Sequence, residues 1–373
     1  MSYDGELYIG MMSGTSVDGI DATLVNIRSA TELQVIETQF TEFPEQLRNK
    51  INAIAQSNNH LTNCADSELH VELASYYAKA SLALIKKAGV NSSEIRAIAN
   101  HGQTVRHEPN ASPAFSIQLG DPQAIANQTK IPCIGYFRQA DLAAGGQGAP
   151  LMPAFHKAVL TSKENSNNFV LNIGGIANIT QLGDHVIGFD TGPGNTLLDQ
   201  WIGLHQGKKY DKDGAWSQSG KVIPELLDQL LKDDYFSTPF PKSTGPDHFN
   251  LDWLRKQSDN IKKYKPADVQ ATLLSLTTQT IVDCLKELNG NDHCNVFICG
   301  GGAHNKAMVQ ALNKALDNAS ISTTDSIGIP ADWVEAAGFA WLGYCHIHNL
   351  PSNLPSVTGA SKSLVLGELF TPQ

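Results

Sequence analysis

Tyr8-Ile9-Gly10-Met11-Met12-Ser13-Gly14-Thr15-Ser16-Val17-Asp18-Gly19-Ile20-Asp21-Ala22-Thr23-Leu24-Val25 is the stretch around which the chain is organised. An apolar strand runs into a Gly/Ser/Thr turn and out into a second strand of alternating apolar residues, which is the pattern of a hairpin. Its tip presents backbone N–H groups and hydroxyls. Exposed turn amides make an anion-binding nest, glycine lets the backbone come close to phosphate oxygens, and Thr15 and Ser16 add donors without bulk. The same residues also suit an ordinary glycine-rich turn, so the rest of the chain has to decide between the two.

Working outward, the second half restates the first. Phe169 to Thr180 reads as strand, small-residue turn (Gly174-Gly175) and strand, followed by Val186 to Asn195 with the turn Asp190-Thr191-Gly192-Pro193-Gly194-Asn195. Further on, Asn295 to Cys299 is a buried strand that ends in Gly300-Gly301-Gly302-Ala303-His304-Asn305. Between these lie strands Leu33–Thr38, Ile95–Ala99, Phe115–Leu119, Ile131–Phe137 and Ser320–Ile327. Helices are expected over Pro44–Ala55, Ser67–Ala88, Thr196–His205, Pro266–Leu288, Lys306–Leu316 and Ala331–His348, with Asp121-Pro122 opening another as N-cap and first-turn proline. The polar run Asn100-His101-Gly102-Gln103-Thr104-Val105-Arg106-His107 follows a strand directly, where open α/β sheets place ligand contacts. Two α/β domains, each starting with a glycine-turned hairpin, is the architecture implied.

Composition sets the bounds. With 373 residues the chain exceeds the usual single-core limit, and 41% hydrophobic with 17% charged residues describes a globular chain with ample core. A formal charge of −10 argues against a nucleic-acid surface, which is normally basic. The six cysteines (Cys64, Cys133, Cys284, Cys294, Cys299, Cys345) form no C-x-x-C pair, so buried reduced thiols are expected and a metal cluster is not. The N-terminus has no basic-then-apolar leader pattern, and no run approaches the roughly 20 apolar residues of a membrane span. A cytoplasmic protein with no membrane partner is the expectation. His346 and His348 stand two apart on a helix and point to different faces, which is poor metal geometry. His101 and His107 read as hydrogen-bonding groups.

Four glycine-rich turns follow strands: Gly10 to Gly19, Gly174 to Asn178, Gly192 to Asn195 and Gly300 to Asn305. There is neither a G-x-x-x-x-G-K-[ST] loop nor a dinucleotide fingerprint, because the glycines at 300 to 302 are consecutive. Here the resemblance becomes specific. Gly10 to Asp21, Asn100 to Thr104 with His107, Asn172 to Asn178, Phe189 to Asn195 and Pro330 to Ala336 occur in order and closely resemble the anhydro-N-acetylmuramic acid kinases. That resemblance implies an α/β, two-domain actin-like ATPase (duplicated ribonuclease H-like) fold with an interdomain cleft. It puts residues 1–128, completed by 331–373, in one domain and 129–330 in the other. It also implies an ATP- and Mg²⁺-dependent reaction in which a small amino sugar, 1,6-anhydro-N-acetylmuramic acid, is opened by water and phosphorylated to N-acetylmuramic acid 6-phosphate, in cell-wall recycling, by a homodimer.

Such a sugar has no free 6-hydroxyl, so a base has to activate water for attack on C1 while O6 leaves toward the γ-phosphate. The resemblance makes Asp190 that base and brings Glu335 to the sugar or the water. Without it, Asp190 would equally suit an Asx cap and Glu335 a helix cap. It implies substrate contacts at His101, Gln103, Thr104, Arg138 and Asp141. Arg138 suits the lactyl carboxylate because a guanidinium grips a carboxylate with two prongs, with a salt bridge as the plainer alternative. ATP contacts are implied at Gly14, Thr15, Ser16, Val17, Asp18, Gly19, Ile20 and Asp21, at Gly175, Asn178, Gly192, Gly194 and Asn195, and at Gly300, Gly301, Gly302 and Asn305. Many sugar kinases carry an aspartate just before the first Gly-Thr turn, where this chain has Met11 and Met12. Magnesium therefore falls to Asp18 or Asp21 through water, with Asp190 as a third choice. A plain hexose or amino-sugar kinase and a non-catalytic ATP sensor or chaperone-like ATPase are the competing readings.

Overall fold

β1 (Glu6–Ser13) and β2 (Gly19–Ser29) form the expected hairpin, antiparallel with Glu6 opposite Ile27 and Met12 opposite Asp21. This computed structural model describes residues 3–14, 16–56, 68–160, 167–258, 260–290 and 292–373, so Thr15 and Cys64 lie outside the described residues. β3 (Glu32–Glu42) pairs antiparallel with β2, and β4 (Ile95–Glu108) lies parallel to β1 on its other side. β5 (Phe115–Leu119) folds back on β4, and β6 (Cys133–Gly135) runs parallel to it at Ile98 and Ala99. In the second half β7 (Asn167–Ile173), β8 (Ile176–Leu182) and β9 (Ile187–Pro193) form an antiparallel run. β10 (Cys294–Cys299) lies parallel to β7, and β11 (Ala319–Thr323) lies parallel to β10. The last strand, β12 (Glu368–Phe370), returns to the first sheet antiparallel to β6.

The two sheets repeat one plan. The first runs β3-β2-β1-β4-β6 and the second β9-β8-β7-β10-β11, and in both only the second strand of the unit opposes its neighbours. This is the duplicated ribonuclease H-like topology expected from the sequence.

Contacts divide the chain into residues 1–160 with 333–373, and residues 161–332. The division falls after Leu160 instead of at 128/129, and there is a packing reason. β6 pairs with β4, and helix Met152–Leu160 lies so close to helix Val334–Ile347 that a Cβ on Gly338 would strike the Met152 sulfur.

Each unit has its own core. In the first, Leu7, Ile9, Met11 and Leu24 of the sheet meet Leu73, Tyr77 and Leu84 of helix Glu68–Ala88. In the second, Phe169, Leu171, Ile179 and Ile298 meet Leu273 and Leu276 of helix Pro266–Asn289. Each such side chain, buried from water, contributes about 1.5–3 kcal/mol.

Three local expectations are corrected. β4 does not stop at Ala99 but runs through the polar run to Glu108, because Asn100 and Gln103 still pair with β1 and Gln103 to Glu108 pair with β5. The strand expected over Ile131–Phe137 contracts to Cys133–Gly135. The one expected to reach Ile327 ends at Thr323 and passes into a 3₁₀ turn, Thr324–Ile327. Cys133, Cys284, Cys294, Cys299 and Cys345 are free and buried. Among the described residues no helix is long and apolar enough to cross a membrane.

Candidate active site

The β1–β2 turn is built from below. Ser13 Oγ donates to Gln103 Oε1, and Gln103 Nε2 donates to the Gly14 carbonyl at 3.1 Å, so β4 props the start of the turn. Val17 closes it through its N–H to Gly14 O at 3.1 Å and takes φ 55. That left-handed region is costly for a β-branched residue, and here the Val17 side chain is sunk in the core. Ser16 Oγ donates to Asp18 Oδ1 at 2.8 Å, at the exposed tip. Among the described residues a Cβ on Gly14 would meet only Ser16 Oγ, at 3.7 Å. Asp21 faces Met12 across the ladder. Gly10 has a different reason to be glycine, since a Cβ there would strike the backbone of Ala336 and Ala340 in helix Val334–Ile347.

That helix brings Glu335 beside Arg138. Burial raises the Glu335 carboxyl and the Arg138 charge pulls it back. Burial likewise pushes Arg138 down to about 10, against the pull of Glu335 and Asp141. Arg138 Nε and Nη2 donate to His101 Nε2 at 3.1 and 2.9 Å, and Nη1 donates to Gly148 O at 2.7 Å. A guanidinium has no acceptor, so His101 Nε2 accepts and Nδ1–H donates to Gly102 O at 2.8 Å. The imidazole is thereby fixed neutral, and burial and Arg138 hold its pKa well below the usual histidine range. Three of the five guanidinium N–H groups are used in this way, which leaves donors for a carboxylate.

Gln103 and Asp141 play other parts than the contacts expected of them. Gln103 is fully buried as the prop just described. Asp141 is fully buried too, and its carboxylate accepts from Gly148 N at 2.8 Å and from Asn353 Nδ2 and Thr358 Oγ1 at 2.7 Å each. It fastens the Gly145–Pro150 loop to the C-terminal segment, leaving no free oxygen to reach a sugar. Thr104 Oγ1 accepts from Gln118 Nε2, and His107 Nδ1 meets Ser116 Oγ at 2.9 Å.

In the second unit Asp190 stands near the end of β9, opposite Asn178. Its Oδ2 accepts from Ser243 Oγ and from Thr244 N, both at 2.9 Å, and Oδ1 takes no hydrogen bond among the described residues. Burial raises this carboxyl above the usual carboxylate range, and the two donors partly offset it.

The glycine turns of this unit lock into one another. Gly175 O accepts from Gly194 N at 2.9 Å and Thr196 N at 3.0 Å, and Gly174 O accepts from Asn195 N at 2.8 Å. Asn195 Nδ2 adds Ile173 O and Gly174 O, at 3.1 Å each. A Cβ on Gly194 would strike Gly174 O, and one on Gly300 (φ 77) would strike Asn172 Oδ1. A Cβ on Gly302 would strike the Ile173 side chain, and one on Gly301 would meet only Asn195 Nδ2, at 4.0 Å, among the described residues. Asn305 caps the next helix through Met308 N at 3.1 Å.

Sequence reasoning missed a neighbour of that turn. Asp211 accepts from Trp216 N and Ser217 N at 2.9 Å each and from Ser217 Oγ at 2.6 Å, and Lys306 pairs with Asp213 at 3.1 Å. A Cβ on Gly214 would strike Asn305 Oδ1, so this loop backs the Gly300–Asn305 turn. Asp211-Lys212-Asp213-Gly214 carries the turn signature that could have flagged it. Asp199 nearby is pushed up to about 7 by burial and by Asp211. Among the described residues no group of three His, Cys, Asp or Glu side chains stands together as a metal site.

The family model for anhydro-N-acetylmuramic acid kinase matches residues 6–372. A protein of that name from Aliivibrio fischeri is 46% identical over 368 residues, covering 98% of this chain and 99% of the relative. One from Haemophilus influenzae is 47% identical over 378 residues, covering 98% of each. Among solved structures, the activator of the 2-hydroxyisocaproyl-CoA dehydratase from Clostridium difficile with bound ADPNP superposes with a TM-score of 0.48 at 11% identity, covering 92% of this chain and 96% of that one.

Proposed function

The chain belongs to the anhydro-N-acetylmuramic acid kinase family, and from that premise we propose that it converts 1,6-anhydro-N-acetylmuramic acid, ATP and water to N-acetylmuramic acid 6-phosphate and ADP. The reaction belongs to the recycling of cell-wall fragments. The observation that carries this reading is the setting of Asp190, a carboxylate with one oxygen held by two donors and the other unclaimed.

The anhydro sugar offers no 6-hydroxyl to deprotonate. The oxygen of a water attacks C1, and its proton passes to Asp190 Oδ1. The C1–O6 bond breaks, and its electron pair stays on O6. O6 takes the γ-phosphoryl group, and ADP departs with the electrons of the broken P–O bond. A well-placed base contributes about 10²–10⁴-fold. Burial brings Asp190 closer to a useful proton affinity, and Ser243 and Thr244 favour its charged form.

The Gly14 to Asp21 turn is assigned to the β- and γ-phosphates, because its tip is open and carries the Ser16 hydroxyl. Gly175, Asn178 and Gly192 border the same role, with Gly194 and Asn195 as the brace beneath. Gly300 to Gly302 and Asn305 are assigned to the adenosine. Arg138, with donors to spare, is assigned to the lactyl carboxylate, His101 and Thr104 to the sugar, and Glu335 to the sugar or the attacking water.

A divalent ion bound with ATP would neutralise the charge developing on the phosphates. The separate, exposed Asp18 suits an ion carried by phosphate oxygens and water better than a protein cage, with Asp21 as its companion. The reading places the enzyme in the cytoplasm as a homodimer with neither nucleic acid nor membrane as partner, and light scattering checks the dimer.

The test is mass spectrometry of the products formed from anhydro sugar and ATP. A product heavier by one phosphoryl group and one water supports the reading. A product that keeps the anhydro ring, or ATP turnover without a sugar phosphate, overturns it.

A further inference from the structure

Asp190 is held from outside its own sheet by a segment that returns after helix Pro224–Leu230. The segment is anchored at Asp233, whose carboxylate accepts from Trp253 Nε1 at 2.7 Å and Tyr235 N at 3.0 Å. Tyr235 OH then donates to the Asp190 carbonyl at 2.7 Å, and Asp190 N donates to the Lys242 carbonyl at 3.0 Å. Lys242 ties the segment to itself, donating to Tyr235 O and Phe236 O at 3.0 and 3.1 Å with its ammonium 4.8 Å from the Tyr235 ring. Phe240 stacks on Phe189, the residue before the acid, at 4.8 Å, and Phe236 fills the space that a Cβ on Gly192 would need. The segment ends at Ser243 and Thr244, on Asp190 Oδ2.

Both backbone polar groups of Asp190 and one carboxylate oxygen are therefore gripped by a single strap. We propose that this strap, acting through Ser243, is a positioning device for the base, selecting Oδ1 as the oxygen that takes the proton. The inference rests on Asp190 being that base. A carboxylate with two donors on one oxygen cannot turn about its Cβ–Cγ bond without breaking both. With the Ser243 hydroxyl gone, the Thr244 N–H alone remains on Oδ2, and the selection of Oδ1 is weakened. Hydrogen bonds to charged groups are strong enough for one loss to be read in the rate. Ser243 is exposed, so changing it leaves the core intact.

The experiment measures kcat and both KM values for Ser243→Ala, Ser243→Thr and Asp190→Asn in the full-length enzyme. Ser243→Ala is expected to lower kcat roughly tenfold to a hundredfold with KM for sugar and ATP within about twofold, and Ser243→Thr to restore most of the loss. A Ser243→Ala enzyme with wild-type kcat, or one whose loss lies in KM, overturns the positioning role. Asp190→Asn separates the two claims. If it remains active, the base itself is misassigned. If it is inactive while Ser243→Ala is unaffected, the base stands and the positioning role alone falls.

Discussion

The turn between β1 and β2 and the turn between β7 and β8 occupy the same place in the repeated topology and differ in what stands behind them. Both are roomy at their glycines: among the described residues a Cβ on Gly14 would meet only Ser16 Oγ at 3.7 Å, one on Gly174 only Ile176 O at 3.6 Å and one on Gly175 only Thr196 Cβ at 3.8 Å. The carbonyls of the second turn are taken up by the amides of Gly194, Asn195 and Thr196, whereas the Gly14 carbonyl takes the Val17 amide and the Gln103 side chain. A Cβ on Gly194 would strike the Gly174 carbonyl, so that glycine leaves room for the protein's own backbone. The lesson is that the glycines of one motif are not alike: those at the turn tips leave space, and Gly194 behind them lets two backbones meet. The Gly194 brace stands at the end of β9, the strand that carries Asp190.

Of the groups near that brace, Asp190 is the one whose removal is expected to have the largest effect. Asp190→Asn is expected to lower kcat by about 10²–10⁴-fold while ATP affinity by calorimetry is unchanged, because a proton acceptor is lost and not a phosphate contact. The wild-type rate should fall on the acid side with a limb above the usual carboxylate range, since burial raises Asp190 and only its ionised form accepts a proton. A limb at or below the ordinary aspartate value would assign it to another group.

Next comes the brace itself. Gly194→Ala puts a methyl group onto Gly174 O and is expected to cost about 1–3 kcal/mol, lowering Tm by roughly 5–10 °C. Gly14→Ala, at the turn tip, is expected to leave Tm within about 2 °C, as surface changes do, while weakening ATP binding several-fold. Equal effects of the two substitutions on Tm would erase the contrast between the brace glycine and the turn-tip glycine.

The smallest effect probes the loop behind the second unit's turns. Asp199 is raised to about 7 in the fold, so its contribution to stability is complete below its unfolded value and is lost as pH rises toward 7 and beyond. Asp199→Asn removes that loss and should raise Tm at pH 8 by about 2–4 °C relative to the wild type, with no gain at pH 4. An unchanged pH dependence of Tm would show that Asp199 ionises normally.

The strands themselves were legible because the apolar runs and their small-residue turns are local signals, and both hairpins fell where the residues put them. The family motifs carried the proposal that Asp190 is the base. What local pattern could not carry is who occupies whose donors. Asp141 and Gln103 are polar residues near motif glycines and read as ligand contacts, yet each is consumed by partners far along the chain, Asn353 and Thr358 for one and Ser13 and Gly14 for the other. The β4 strand outran its apolar pattern for a related reason. Its polar half, with Asn100, His101 and Gln103 buried, is kept in the sheet by pairing to β1 and β5 and by the hydrogen bonds that satisfy those buried groups. Ser243 and Tyr235, the partners of Asp190, lie about fifty residues from it along the chain and carry no motif that links them to it.

The central claim is that solvent oxygen ends on the sugar while the sugar's own oxygen takes the phosphoryl group. Turnover of the anhydro sugar with ATP in ¹⁸O-water, quenched early and compared with product incubated alone to correct for anomeric exchange, tests it directly. The account predicts one ¹⁸O at C1 and none in the 6-phosphate. Label in the phosphate, or a phosphorylated sugar with no label at C1, would contradict it.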